Sequence, residues 1–101
     1  MFNINGNEIE MTRGDTVAFQ VYITGYKPQD DDEIVMTIKK RITDKSPVLT
    51  KCVEDGVVVF EPKDTISLLG TYVYDIQITT ALGAVYTPVQ SVISFERGVT
   101  E

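Results

Sequence analysis

The sequence has no histidine, no tryptophan and a single cysteine, Cys52, in 101 residues. Without histidine there is no Ser-His-Asp triad, no Cys-His nucleophile pair and no imidazole ligand for zinc or copper. One thiol cannot close an internal disulfide, so nothing points to an oxidising compartment. Positive charge is scarce too: 9 Lys and Arg stand against 15 Asp and Glu, a formal net charge of -6. That balance opposes binding to a phosphate backbone, which needs a positive footprint. No apolar run approaches the roughly 18 residues of a membrane span. Met1-Phe2-Asn3 lacks the basic start and apolar stretch of a signal peptide. These absences set the expectations: synthesis in the cytoplasm, no membrane, no nucleic-acid partner, no cofactor and no metal.

What is present suits one globular domain. The chain is 43% hydrophobic and 24% charged, close to the globular average. Its length allows one core and not two. The domain is expected to span residues 1–98, with 99–101 a flexible end. The periodicity is that of strands. Over residues 15–24, Val17, Phe19, Val21 and Ile23 fall on one face. Over residues 33–42, Ile34, Met36 and Ile38 do the same, and over 71–80 so do Tyr72, Tyr74, Ile76 and Ile78. A last strand over 89–96 turns Val89, Ile93 and Phe95 inward. Shorter strands are expected at 8–11, 48–53, 57–61 and 84–87. Glu54-Asp55-Gly56 and Ala81-Leu82-Gly83 serve as hairpin turns. Pro62 and Gly70 bracket one helical turn over 63–69, crossing between sheets. With no alternation of strand and helix, the pattern predicts an all-β fold. It is an immunoglobulin-like antiparallel β-sandwich of about seven or eight strands with one short helical turn. The terminal strands, 8–11 and 92–96, are expected at sheet edges.

Residues that could carry chemistry each have a structural explanation. Cys52 sits in a strand pattern with Leu49 and Val53 and is expected to be a buried, inert filler. Asp55, Glu61, Asp64 and Asp75 could supply a carboxylate pair, but they fall at turns or outward positions. Asp30-Asp31-Asp32-Glu33 lacks the alternating ligands and central glycine of a calcium loop and is expected to be solvated. Lys39 and Arg41 point opposite to Lys40 on a strand, so the three do not form one patch. Exposed Tyr22, Tyr26 and Tyr86 could stack on sugar rings. The run Gly70-Thr71-Tyr72-Val73-Tyr74 fits either a tyrosine corner or ordinary strand aromatics. Catalytic and metal-binding residues are expected to be none, and the chain is not expected to be an enzyme.

The order of these pieces resembles a known family. Arg13-Gly14-Asp15-Thr16-Val17-Ala18-Phe19 comes first, then Ile34-Val35-Met36-Thr37-Ile38-Lys39-Lys40 and Pro47-Val48-Leu49-Thr50-Lys51. Phe60-Glu61-Pro62-Lys63-Asp64-Thr65 and Gly70-Thr71-Tyr72-Val73-Tyr74-Asp75-Ile76-Gln77 follow. Over residues 8–98 this resembles the immunoglobulin-like structural domains of tailed phages, in particular the N-terminal domain of the phage upper baseplate protein. The resemblance implies a virion structural protein of phage or prophage origin. Its partners would be other tail or baseplate proteins, with a homo-oligomer left open. Baseplate proteins of that kind continue into a linker and a host-facing part. Whether these residues are a domain of a longer protein or a stand-alone version stays open. The rival expectation is a bacterial cell-surface adhesion or carbohydrate-binding immunoglobulin-like module.

Overall fold

A computed structural model of the chain describes residues 2–101. Eight strands and one helical turn follow in order: β1 Phe2–Asn5, β2 Glu8–Thr12, β3 Val17–Gln20, β4 Glu33–Lys39, β5 Leu49–Cys52, β6 Val57–Phe60, α1 Pro62–Thr65, β7 Gly70–Thr79 and β8 Val85–Glu96. They form an all-β sandwich of unequal layers. A six-stranded sheet in the order β1-β2-β8-β7-β4-β5 faces a two-stranded sheet, β3-β6.

Alternation accounts for the core. Met36, Ile38, Ile76, Ile78, Ile93 and Phe95 fill the inner face of the large sheet, and Val17, Val58 and Phe60 that of the small one. Phe19 joins the layers: its ring lies 5.4 Å from Phe2 on β1 and 5.8 Å from Phe60 on β6. Tyr72 meets Phe95 edge-on at 5.5 Å. The expected core held. Phe19, Val21, Ile34 and Val89 are only partly buried, while Ile9, Met11, Val58 and Leu68 join it.

Several expectations are corrected. The large sheet is mixed, because β2 runs parallel to β8, pairing Ile9 with Ile93 and Met11 with Phe95. The two strands come from opposite ends of the sequence, so no short turn forces them antiparallel. The strands at 8–11 and 92–96 are therefore interior, and β1 and β5 are the edges. β1, which no expectation covered, folds back on β2 through the Gly6-Asn7 turn. β3 stops at Gln20 because β6, its partner, begins at Val57. One last bond, from Val21 N–H to Gly56 O at 2.7 Å, closes the ladder.

The two late strands merge into a single β8. Its register shifts where Thr87 and Pro88 together oppose Gln77. A bulge there accommodates a residue with no N–H to donate.

The turns are chemically specified. Asp55 (φ 53) and Gly56 (φ 76) both adopt positive φ, as a mirror-image two-residue hairpin turn requires. Glu54 and Val57 exchange backbone bonds of 3.0 and 2.9 Å across it. Beyond that pair the arms separate, β5 into the large sheet and β6 into the small one. The helical turn is shorter than expected. It starts at Pro62, with Asp64 accepting the Glu61 N–H at 2.8 Å. Fully buried Thr65 accepts the Gly14 N–H at 2.8 Å and ties the turn to the β2–β3 connection.

Candidate surface groove

A sheet of six strands cannot be covered by a sheet of two. The strand edges and the loop after β3 inherit the uncovered surface. Both edges of the small sheet are open. The Val21–Gly56 bond sets the alternation of its ladder, so Ala18 and Gln20 turn their backbone groups outward on β3, and Val59 does so on β6. Val59 also leaves its side chain 45% exposed.

The segment 21–32 leaves the small sheet and runs over one end of the sandwich before β4. Asp32 staples it. Its carboxylate accepts the Gln29 N–H at 2.8 Å and the Tyr26 hydroxyl, while Asp32 N–H donates to Gln29 O at 3.0 Å. These donors hold the Asp32 carboxyl below its ordinary range, the Gln29 amide foremost. The same carboxylate pushes the Tyr26 hydroxyl up to about 12. The Tyr26 ring then lies 6.4 Å from Tyr86 on β8.

Under this segment runs a groove with two lobes. The apolar lobe, about 300 Å³, is lined by Val21, Tyr22, Ile23, Tyr26, Ile34 and Val53. Tyr22 is 80% exposed. The acidic lobe, about 590 Å³, carries Asp30, Asp32, Glu54 and Asp55 around Ile34 and Val53. Ile34, Val53, Pro28 and Gly56 line both, so the two lobes adjoin. Lys27 is the one cation on the lining, and it belongs to the apolar lobe.

The other residues singled out in the sequence fall elsewhere. Cys52 is exposed, which corrects the expectation of a buried thiol. On β5 it is Leu49, Lys51 and Val53 that turn toward the interior, so Cys52 takes the opposite face of an edge strand. It lines the wedge where β5 and β6 part, together with Val57 and Val59. Glu61 and Asp64 are occupied in the cap of α1, and Lys51 Nζ lies 3.0 Å from Asp64. Burial pushes the Asp64 carboxyl up, but the Glu61 N–H and Lys51 outweigh it and the net shift is downward. Asp55 and Asp75 line separate depressions. Burial raises Asp75, with Lys39 partly offsetting it. Lys40 instead sits 4.4 Å over the Tyr72 ring, apart from Lys39. The Asp30–Glu33 run divides, Asp32 turning in as the staple and Glu33 opening β4. Among the described residues no three His, Cys, Asp or Glu converge as metal ligands.

The hydroxyl that reaches back to an upstream backbone carbonyl is that of Tyr74, which donates to Asn7 O in the β1–β2 turn. Burial raises its pKa. Sequence reasoning named the tyrosines and the acidic run separately. Only the crossing of the 21–32 segment over the 53–56 turn joins them. Comparison with protein-family models, curated proteins and solved structures finds no match for this chain.

Proposed function

We propose that this domain is a non-enzymatic attachment module of a tailed-phage or prophage virion, holding tail or baseplate subunits together through protein–protein contacts. The observation that carries the reading is the mismatch of the two layers. Six strands face two, so both edges of the small sheet and a two-lobed groove beside it are open. Binding through edges and grooves needs surface and no chemistry. The order of the Gly14-Asp15-Thr16, Lys39-Lys40 and Gly70–Gln77 segments, which resembles that of phage baseplate domains, supports the virion setting. There the chain is made in the bacterial cytoplasm and ends in the tail or baseplate. Homo-oligomerisation is compatible with this role.

A second reading has one observation in its favour. Tyr26 and Tyr86, 60 residues apart in sequence, lie with ring centroids 6.4 Å apart. Such a pair suits a surface adhesion or carbohydrate-binding module.

Capture of partners by the tagged domain, from lysate with its prophage induced and from uninduced lysate, separates the two. Enrichment of tail or baseplate subunits only after induction is expected. Retention of host-surface glycans or peptidoglycan fragments alone overturns the attachment reading in favour of the second.

A further inference from the structure

The two-lobed groove has a chemistry of its own. One lobe offers Val21, Tyr22, Ile23 and Tyr26, and the other sets four carboxylates around Ile34 and Val53. No lysine or arginine lines the acidic lobe. The nearest ion pairs, Lys51 with Asp64 and Lys63 with Glu61, engage other carboxylates. The lobe therefore sets four carboxylates beside an apolar floor of Ile34 and Val53.

That combination selects among ligands. Sugar hydroxyls can donate to carboxylates, but a neutral sugar leaves the negative charge of the lobe unmatched. A nucleic acid is repelled. A divalent cation needs several oxygens converging on one point, and among the described residues no such group exists. A lysine or arginine side chain meets both demands, since its aliphatic stem lies on apolar surface while its head reaches the carboxylates. The adjoining lobe then accepts an apolar neighbour from the same chain.

We propose that the groove between residues 21–34 and 53–56 is the docking site for an extended partner-protein segment pairing a lysine or arginine with an apolar residue. The basic side chain occupies the lobe of Asp30, Asp32, Glu54 and Asp55, and the apolar one packs on Val21, Ile23 and Tyr22. This inference rests on the attachment reading and names the surface and partner chemistry behind it. Asp32, kept ionised by the Gln29 N–H and the Tyr26 hydroxyl, holds its charge in acid longer than an ordinary carboxylate.

The test is an NMR titration of the isotope-labelled domain with two synthetic decapeptides. One alternates Lys or Arg with Val or Phe, and the other carries Glu at every basic position. The basic peptide should shift amide signals of residues 21–34 and 53–56 saturably, and the acidic one should not. Asp30→Lys combined with Glu54→Lys changes two exposed side chains without a hydrogen bond in the fold. In that variant the basic peptide should bind about tenfold or more weakly, and the acidic peptide should now bind. Unchanged signals of Tyr72 and Phe95 report an intact core.

Shifts confined to β1, or to Lys51, Cys52, Val57 and Val59 with residues 21–34 unmoved, overturn the proposal. So does undiminished binding of the basic peptide to the variant, or chitohexaose shifting the same signals equally in both proteins. The two readings fail separately. Tail subunits captured as well by the charge-reversed variant remove the groove and leave the attachment module standing. Groove binding of the basic peptide without any captured tail subunit does the reverse.

Discussion

The two sheets follow one pattern and meet different fates. In the large sheet, β7 and β8 pair over most of their length, and β7 has a neighbour on each side. The centre of its inner face is closed, with Met36, Ile38 and Ile93 fully buried. In the small sheet every residue is one strand from solvent. Val58 and Phe60 are fully buried, yet Val59 between them is 45% exposed. Ile4 on β1 shows the cost on the facing side. It pairs with buried Ile9 but is 43% exposed, because the small sheet does not extend over it. Identical alternation thus makes a sealed core where strands are numerous and an open surface where they run out. The difference teaches that the surface open for partners is set by strand count rather than by any special motif.

The largest test of this comparison is Phe60→Ala. The ring is the buried centre of the small sheet, and its loss should cost about 3–5 kcal/mol in urea unfolding. Ile4→Ala, on the uncovered face, should cost less than about 1 kcal/mol. Equal losses would mean that the two regions do not differ as described.

Tyr74→Phe comes next. It removes the bond to Asn7 O that ties the β1–β2 hairpin to β7, at a cost of about 1 kcal/mol by thermal or urea unfolding. Hydrogen exchange should quicken in β1 more than in β4.

Two carboxylates should respond to pH with opposite signs. Asp32 is depressed in the folded state, so its contribution is present above the unfolded carboxyl range, about pH 4, and is lost as pH falls through the folded value. The Tyr26 ring signals should broaden or move there, and Asp32→Asn should reproduce the change at neutral pH. Asp75 is raised by burial. Its ionised form opposes folding above the folded pKa, and the effect vanishes below the unfolded one. Asp75→Asn should therefore raise Tm slightly at pH 7 and leave it unchanged near pH 3.

The smallest effect belongs to Cys52. Its thiol should react with a disulfide reagent in the native protein about as readily as in the unfolded chain. Cys52→Ser should change stability by less than about 0.5 kcal/mol. Slow modification under native conditions would place the side chain inside, contrary to the exposed position seen here.

The parts legible in sequence were those fixed by local periodicity. Met36, Ile38, Ile76, Ile93 and Phe95 could be assigned inward because alternation needs no knowledge of the partner strand. Asp55-Gly56 marked its turn because both positions demand positive φ. What failed depended on pairing. Cys52 is the exception: alternation of Leu49, Lys51 and Val53 already puts it on the opposite face, and the pairing of Lys51 with buried Met36 agrees. The parallel β2–β8 pair and the interior place of the terminal strands are contacts across the whole chain, invisible to a local window. The groove was legible only in halves, since Asp30 and Glu54 are brought to one lobe by the fold alone.

Hydrogen exchange on the domain, alone and with a captured tail or baseplate subunit, tests the central claim most directly. The account predicts slowed exchange over residues 21–34 and 53–56, with the amides of β7 unchanged. Protection centred on the outer face of β4 and β7, or failure to retain any tail or baseplate subunit, would contradict it.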